Sequence, residues 1–148
     1  MNQNLETALW QAAAQTFEEF TFLFPSPQHE QCDKQPYAAA VIQFHGLFEG
    51  TLEITATADL LPVLASNMLG TDETPAANIQ RDALGEIANV ICGNFLPEVA
   101  GKQAVFHIEA PQVIAGAELV SHTGLPAAHL NLTFDEGQSE IRLFLNQH

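Results

Sequence analysis

One face of a predicted helix carries an unusual set of polar residues. In RDALGEIANVICGN, residues 81–94, a rotation of about 100° per residue places Asp82, Glu86, Asn89 and Gly93 on one side. The opposite side is an apolar stripe of the kind that packs against a core, and it consists of Leu84, Ile87, Ala88, Ile91 and Phe95. A helix face that meets only solvent more commonly mixes Lys, Glu and Gln. The polar face is therefore the first candidate for chemistry.

Glu86 and Asn89 are the most chemically useful pair on this face. At positions i and i+3 they project next to each other, and they offer a negative acceptor and an amide that both donates and accepts hydrogen bonds. An amide is a poor general base, but it can hold a water molecule in line with an electrophile while the carboxylate pairs with a partner's lysine. Because positioning supplies much of the catalysis in phosphoryl transfer, the pair is suited to hydrolysing a phosphoryl group carried by another protein.

The same pattern also has simpler explanations. Glu-x-x-Asn is common on solvent-exposed helix faces, and Asp82 can favour the N-terminal half of a helix electrostatically. Gly93 is unfavourable in a helix interior by about 0.5–1 kcal/mol relative to alanine. Either the close approach of another backbone or packing inside the protein would explain that glycine.

The composition excludes several classes of partner. The 148-residue chain has four basic side chains against eighteen acidic ones, and its formal net charge is −14. It lacks the basic footprint of a nucleic-acid binder, and an anionic membrane surface would repel it. Its apolar runs fall short of a membrane span of about 20 residues, and its N-terminus does not resemble a signal peptide. We predict a single cytoplasmic domain over residues 1–148.

The cysteines and histidines form no strong metal or redox motif. Two cysteines do not make a disulfide framework, and we expect Cys92 to be a small residue at the edge of a packed face. The six histidines are dispersed, and the close pair His29 and Cys32 has no second pair to complete a zinc site. The chain also lacks a glycine-rich phosphate loop. We therefore expect neither a metal site nor a cofactor of its own.

Hydrophobic periodicity predicts the elements that must position the polar face. In chain order these are a helix over 4–20 with Asn4 as its N-cap, a Pro-rich loop over 24–36, two strands joined through HGLFEG (45–50), a short helix from Asp59 to Leu69 that Gly70 ends, a long helix, one or two strands within 103–120, and a hairpin around DEGQ (135–138). The alternation places Glu53 on the polar side of its strand.

The long helix carries the polar face. We predict Thr74 as its N-cap and Pro75 as its first residue, with an end near Leu96 where Pro97 stops or kinks the chain. Helices that cover antiparallel strands define an α+β fold. A helix followed by antiparallel strands occurs twice, which indicates a structural duplication.

The polar face resembles the signature of the CheC/CheX/FliY family of chemotaxis phosphatases. That signature has an Asp or Ser, a Glu and an Asn at the spacing of Asp82, Glu86 and Asn89, followed by a proline. Here the proline is Pro111, one residue short of the usual spacing. Upstream, VIQFHGLFEGTLEITA and LLPVLASNMLG resemble the strand–turn–strand–helix segment of CheX. The resemblance extends from about residue 38 to the end of the chain.

The resemblance implies a phosphatase that hydrolyses the phosphoaspartate of a CheY-like response regulator, in chemotaxis or related two-component signalling. By this analogy Glu86 pairs with a lysine of the receiver and Asn89 positions the attacking water. Asp82 would support the face, and Gly93 would leave room for the partner. The receiver would contribute Mg²⁺, so that this chain needs no cofactor of its own.

The number of motifs distinguishes the branches of this family. CheC and FliY usually carry two such motifs, whereas the first helix of this chain has no second Glu-x-x-Asn. A single motif resembles CheX, whose members form homodimers through sheet edges, and exposed edge strands make such pairing physically reasonable. The alternative is a non-catalytic module of the same fold that binds a receiver or acts as a scaffold.

Overall fold

The computed structural model describes residues 2–27, 35–118 and 125–146. Its elements, in chain order, are α1 (Asn2–Thr21), β1 (Ser26–Pro27), β2 (Ala38–His45), β3 (Gly50–Ala56), α2 (Leu60–Leu69), α3 (Ala77–Ala100), β4 (His107–Ile108), β5 (Gln112–Ala115), a short 3-10 helix (Gly116–Glu118), β6 (Ala128–Phe134) and β7 (Gly137–Leu145). The predicted α+β class is confirmed. His29 and Cys32, with most of the predicted loop over 24–36, lie outside the described residues.

The strands form one antiparallel sheet in the order β1-β6-β7-β3-β2-β4, with β5 also paired to β2. β5 lies opposite Ala38–Val41, and β4 lies opposite Phe44 and His45. Between them, the N–H of Glu109 donates to the carbonyl of Gln43 at 2.9 Å. The short segment that joins β4 to β5 is therefore held along the edge of β2.

The core lies between the helices and one face of this sheet. Its largest fully buried side chains include Phe17 of α1, Phe44 of β2 and Phe95 of α3. The ring of Phe17 meets that of Phe134 with centroids 4.9 Å apart. Burying such a side chain stabilises the fold by about 1.5–3 kcal/mol, so α3 is anchored firmly along its apolar stripe. Across residues 2–27, 35–118 and 125–146, no helix combines the length and apolar character that crossing a membrane requires.

The short helix α2 begins and ends where the sequence predicts. Asp59 is its N-cap residue, and Gly70 follows it with φ of 67°. The N–H of Gly70 donates to the carbonyl of Asn67 at 3.3 Å. Glycine adopts this left-handed conformation without the steric penalty of a Cβ atom, which explains why the helix stops there.

The predicted starts of the two long helices are wrong. α1 begins at Asn2, so Asn4 lies inside the helix, and α3 begins at Ala77 with Ala76 as its N-cap residue, after Thr74 and Pro75. At the start of α3 the backbone N–H of Gln80 donates to Ala76, and its side-chain amide donates to the carbonyl of Pro75 at 2.7 Å. These hydrogen bonds occupy the carbonyls of Pro75 and Ala76 at the start of α3, where the predicted threonine cap is not used.

The predicted end of α3 is also wrong, because the helix continues through Pro97 to Ala100. Pro97 removes one backbone hydrogen bond of the helix. The two residues before it, Phe95 and Leu96, are nevertheless buried in the core. Beyond it the N–H of Gly101 donates to the carbonyl of Pro97 at 2.9 Å. Core packing before the proline and the helical hydrogen bond after it therefore allow the helix to continue past Pro97.

The sheet side away from the helices is more buried than the strand alternation predicts. Glu53 of β3, expected among solvent-facing residues, is only 2% exposed. Nearby, Glu140 of β7 accepts hydrogen bonds from His129 at 2.5 Å and from Arg142 at 3.1 Å. The hydrogen bond with His129 is the main cause that lowers the pKa of the Glu140 carboxyl, and Arg142 lowers it further. Together they outweigh partial burial, which acts to raise that pKa.

We expect Glu140 to make folding sensitive to acid. Because its folded-state pKa lies below the ordinary value of 4.5, its contribution is complete above that value and is lost as the pH falls through the lower folded-state pKa. Glu140→Gln should therefore flatten the fall in the free energy of unfolding below about pH 5, measured by urea denaturation at a series of pH values. Glu98→Gln, on the exposed side of α3, is the matched control. If the free energy of unfolding falls equally steeply below pH 5 in the wild type and in Glu140→Gln, this assignment is contradicted.

Candidate functional site

The exposed face of α3 holds all four residues that the sequence singles out. Asp82, Glu86, Asn89 and Gly93 are exposed, whereas the apolar stripe of Leu84, Ile87, Ala88, Ile91 and Phe95 is fully buried. The division of the helix into two faces is therefore confirmed. The buried stripe fixes the rotation of α3 about its own axis, and with it the direction in which the polar face points.

Glu86 and Asn89 lie one turn apart on this surface. Three residues of helix separate their Cα atoms by about 4.5 Å along the axis. Within the described part of the chain, neither side chain, nor that of Asp82, has a hydrogen bond or an ion pair. Their donors and acceptors are therefore available to solvent or to a partner, and a carboxylate and an amide at this separation can contact one small group together.

Asp82 lies too far along α3 to serve as a simple electrostatic cap. α3 begins at Ala77, so Asp82 falls in the second turn, and the favourable field of the helix N-terminus decays within the first. Asp82 is also one turn before Glu86 on the same face. Its position favours a role on the polar face over a role in starting the helix.

Gly93 is not explained by packing inside this protein. A Cβ atom built on Gly93 meets no heavy atom of its surroundings within 4 Å, although the residue lies well inside α3. Of the two explanations that the sequence leaves open, internal packing is therefore excluded within the described residues. The close approach of another backbone stays a prediction.

Gly85 and Pro111 form one border of the polar face. A Cβ atom on Gly85 would lie 3.3 Å from Cγ of Pro111 and 3.3 Å from Cγ2 of Val113. The β4–β5 segment is thus packed closely against α3 next to Glu86. Pro111 lies between β4 and β5, and it supports this border by packing against Gly85 of α3. Sequence reasoning missed Gly85. The one local signal for it is that a glycine occupies the buried side of the helix.

Apolar residues border the polar face on its other side. Ile79 is 40% exposed, Val90 is half-buried and Pro97 is exposed. At 100° per residue, Ile79 and Pro97 share one angular position, about 40° from Gly93. This border also escaped the sequence analysis, because a single exposed apolar residue is ordinary on a protein surface. The polar pair is thus flanked by surfaces that a partner protein can cover.

Other candidate chemistry finds little support in the described residues. Cys92 is buried, and burial raises the pKa of its thiol to about 12, so it is a packed side chain and a poor nucleophile. No three His, Cys, Asp or Glu side chains lie close enough to hold a metal ion within residues 2–27, 35–118 and 125–146. The polar face of α3 therefore remains the candidate site.

Sequence comparison connects this arrangement with a known family. The sequence model of the family described as "Chemotaxis phosphatase CheX" matches residues 38–133, a range that contains α3 and Pro111. No curated protein sequence matches the chain.

Several solved structures have the same fold. A CheX from Vibrio vulnificus superposes with a TM-score of 0.82 at 18% identity, over 99% of each chain. A CheX from Desulfovibrio desulfuricans gives a TM-score of 0.78 at 19% identity, over 96% of this chain and 99% of that one. The CheX–CheY–BeF₃–Mg²⁺ complex from Borrelia burgdorferi gives 0.73 at 19% identity, over 95% of this chain and 97% of that one. At such identities the similarity establishes the fold.

Proposed function

The chain belongs to the CheX family of chemotaxis phosphatases, whose sequence model covers well over half of it, and from that premise we propose that it hydrolyses the phosphoaspartate of a CheY-like receiver. The observation that carries the proposal is the pair Glu86 and Asn89, which are exposed on the anchored helix α3 and have no side-chain partner among residues 2–27, 35–118 and 125–146. The family relative from Borrelia burgdorferi in complex with CheY supports a receiver as the partner.

In this proposal Asn89 positions the water that attacks phosphorus. Its amide donates to or accepts from the water and holds it opposite the bond between phosphorus and the aspartyl oxygen. The water oxygen forms the new bond to phosphorus as that bond breaks, and the electron pair stays on the aspartate. The protons of the water pass to the phosphate product and to solvent. Asn89 contributes by orienting the water. Such positioning supplies much of the lowering of the activation barrier in phosphoryl transfer.

Glu86 sets the register of docking. Its carboxylate accepts a charge-assisted hydrogen bond from a lysine of the receiver, which is stronger than a bond between neutral groups. Asp82, one turn away, supports the same face, and Gly93 admits the partner closely. A Mg²⁺ ion held by the receiver would neutralise charge on the phosphoryl oxygens, and this chain needs no cofactor. We place the reaction in the cytoplasm.

We also predict a homodimer that pairs through sheet edges. β1 pairs with β6 only at Leu132 and Thr133. In the part of the chain that the structure describes, residues 128–131 of β6 therefore have a strand neighbour on one side only. On this edge the N–H of His129 donates to the carboxylate of Glu6 at 3.3 Å, so a second strand that pairs here would displace that bond. The oligomeric state measured by light scattering tests the prediction.

The decay of a phosphorylated CheY-like receiver, with and without this protein, tests the proposed function. Acceleration of decay that disappears in Glu86 and Asn89 variants would support a phosphatase. Binding of the phosphorylated receiver without acceleration would instead favour the scaffold alternative. Absence of both binding and acceleration would contradict the receiver as a partner.

Salt dependence gives a separate prediction about encounter with the receiver. The chain has a net charge of −14, and a surface with a phosphoryl group and Mg²⁺-binding carboxylates is itself anionic. Raising the ionic strength from about 10 mM to about 100 mM shortens the Debye length from about 30 Å to about 10 Å. Association measured by stopped flow should therefore become faster with salt. A rate that falls steeply with salt would contradict this docking picture.

A further inference from the structure

The part of α3 that follows Asn89 contains two residues that disfavour helix. Gly93 and Pro97 are the least favourable types in a helix interior, and both are exposed on the polar side of α3. They stand four residues apart, so they lie at the two ends of one potential hydrogen bond of the helix. The chain nevertheless forms one continuous helix from Ala77 to Ala100.

Nothing that the structure describes around Gly93 requires a glycine. A Cβ atom there meets no neighbouring heavy atom within 4 Å, and Gly93 is not among the residues with positive φ. In contrast, Gly85 on the same helix would bring a Cβ atom to 3.3 Å from Pro111. An alanine at Gly93 would therefore suit the isolated fold better than the glycine does.

Pro97 leaves the carbonyl of Gly93 without its regular helical donor. In an α-helix the N–H of residue 97 would donate to the carbonyl of residue 93, and proline has no N–H. The ladder resumes past the proline, where the N–H of Gly101 donates to the carbonyl of Pro97 at 2.9 Å. The interruption is thus local, and it lies beside the one exposed position of α3 that has no side chain to shield the backbone.

We propose that the carbonyl of Gly93 is a recognition acceptor, which receives a hydrogen bond from a main-chain N–H of the receiver. The missing Cβ atom allows a second backbone to approach closely from the exposed side. Position 97 supplies no donor, and its ring lies against the axial side of the carbonyl, so a partner N–H would reach the acceptor laterally, past Gly93. This acceptor lies about 6 Å along the axis beyond Asn89, continuous with the face that would meet the phosphorylated site. The inference rests on the proposed function, because the receiver is the partner that this face would meet.

Two substitutions close the acceptor in different ways. Gly93→Ala places a methyl group beside the carbonyl, and Pro97→Ala restores the helical N–H that occupies it. Both should raise the melting temperature, by about 2–4 °C for Gly93→Ala. Both should also raise the KM for the phosphorylated receiver about 3–10-fold, the usual net contribution of one hydrogen bond, and leave kcat within about twofold. Asn78→Ala, exposed in the first turn of the same helix, is the control that should leave KM unchanged.

The measurements separate this inference from the proposed function. Dissociation constants from titration with the receiver, together with the decay assay, report on recognition whether or not Glu86 and Asn89 act catalytically. An unchanged KM and dissociation constant in both variants would overturn the acceptor role while the wild-type acceleration stands. A lower melting temperature for Gly93→Ala would also overturn it, since glycine would then be needed to accommodate Pro97. Failure of the proposed function would instead appear in the wild-type protein, as decay that is not accelerated.

Discussion

Alanine in place of Asn89, or glutamine in place of Glu86, is expected to slow receiver dephosphorylation by about 100-fold or more. Asn89→Ala removes the amide that would orient the attacking water, and Glu86→Gln keeps the shape of the side chain but removes the charge that would pair with a lysine. The two variants should differ in kind. At saturating receiver the Asn89 variant should retain its defect in kcat, whereas part of the Glu86 defect should be a raised KM.

The measurement is the decay of phosphorylated receiver over a range of receiver concentrations, so that kcat and KM are obtained separately. Because both side chains are exposed and without partners in the described part of the chain, their replacement should change the free energy of unfolding by no more than about 0.5 kcal/mol. Asn78→Ala, at an exposed asparagine in the first turn of α3, serves as the matched amide replacement on the same helix. Full activity of Asn89→Ala would exclude the positioning of water by this residue.

The polar face of α3 could be predicted from the sequence because it depends on a single local rule. A period of 3.6 residues separates Leu84, Ile87 and Ile91 from Glu86 and Asn89 without any knowledge of the rest of the chain. The structure confirms the exposure of the predicted site residues and the burial of the stripe behind them. Their chemical roles depend on a partner, and the roles remain predictions for that reason.

The ends of α3 were predicted wrongly because local preference is weaker than tertiary packing. Proline at position 97 predicts a helix end when only the neighbouring residues are considered. In the folded chain, Phe95 and Leu96 are buried against the core, and their packing holds the last turn in helical form. At the other end, Thr74 has the right chemistry for a cap, but the helix begins at Ala77.

The border formed by Gly85 and Pro111 could not be predicted because it joins residues that are distant in the sequence. The contact between Gly85 and Pro111 depends on the β4–β5 segment lying along the edge of β2. Strand alternation assigns a side chain to one face of its sheet, but it does not reveal what covers that face. The burial of Glu53 is therefore visible only in the folded structure.

Replacement of Phe95 by alanine is expected to lower the free energy of unfolding by about 3–5 kcal/mol. Phe95 is fully buried, so the change removes apolar contact and leaves a cavity that the packed surroundings fill only in part. Domains of this size are stable by only about 5–15 kcal/mol, which makes this loss a large fraction of the total. Urea denaturation should show a lower midpoint with an unchanged slope.

The Phe95 variant also tests whether the site depends on its anchor. Glu98→Ala, exposed on the last turns of the same helix, should change the free energy of unfolding by no more than about 0.5 kcal/mol, and it controls for the loss of a side chain from α3. If the rotation of α3 fixes the direction of Asn89, Phe95→Ala should also lower kcat under conditions in which the variant remains folded, because small displacements of a positioning group are costly. A destabilised variant with an unchanged kcat would show that Glu86 and Asn89 are held by their own turn of helix, independently of the core beneath its C-terminal half.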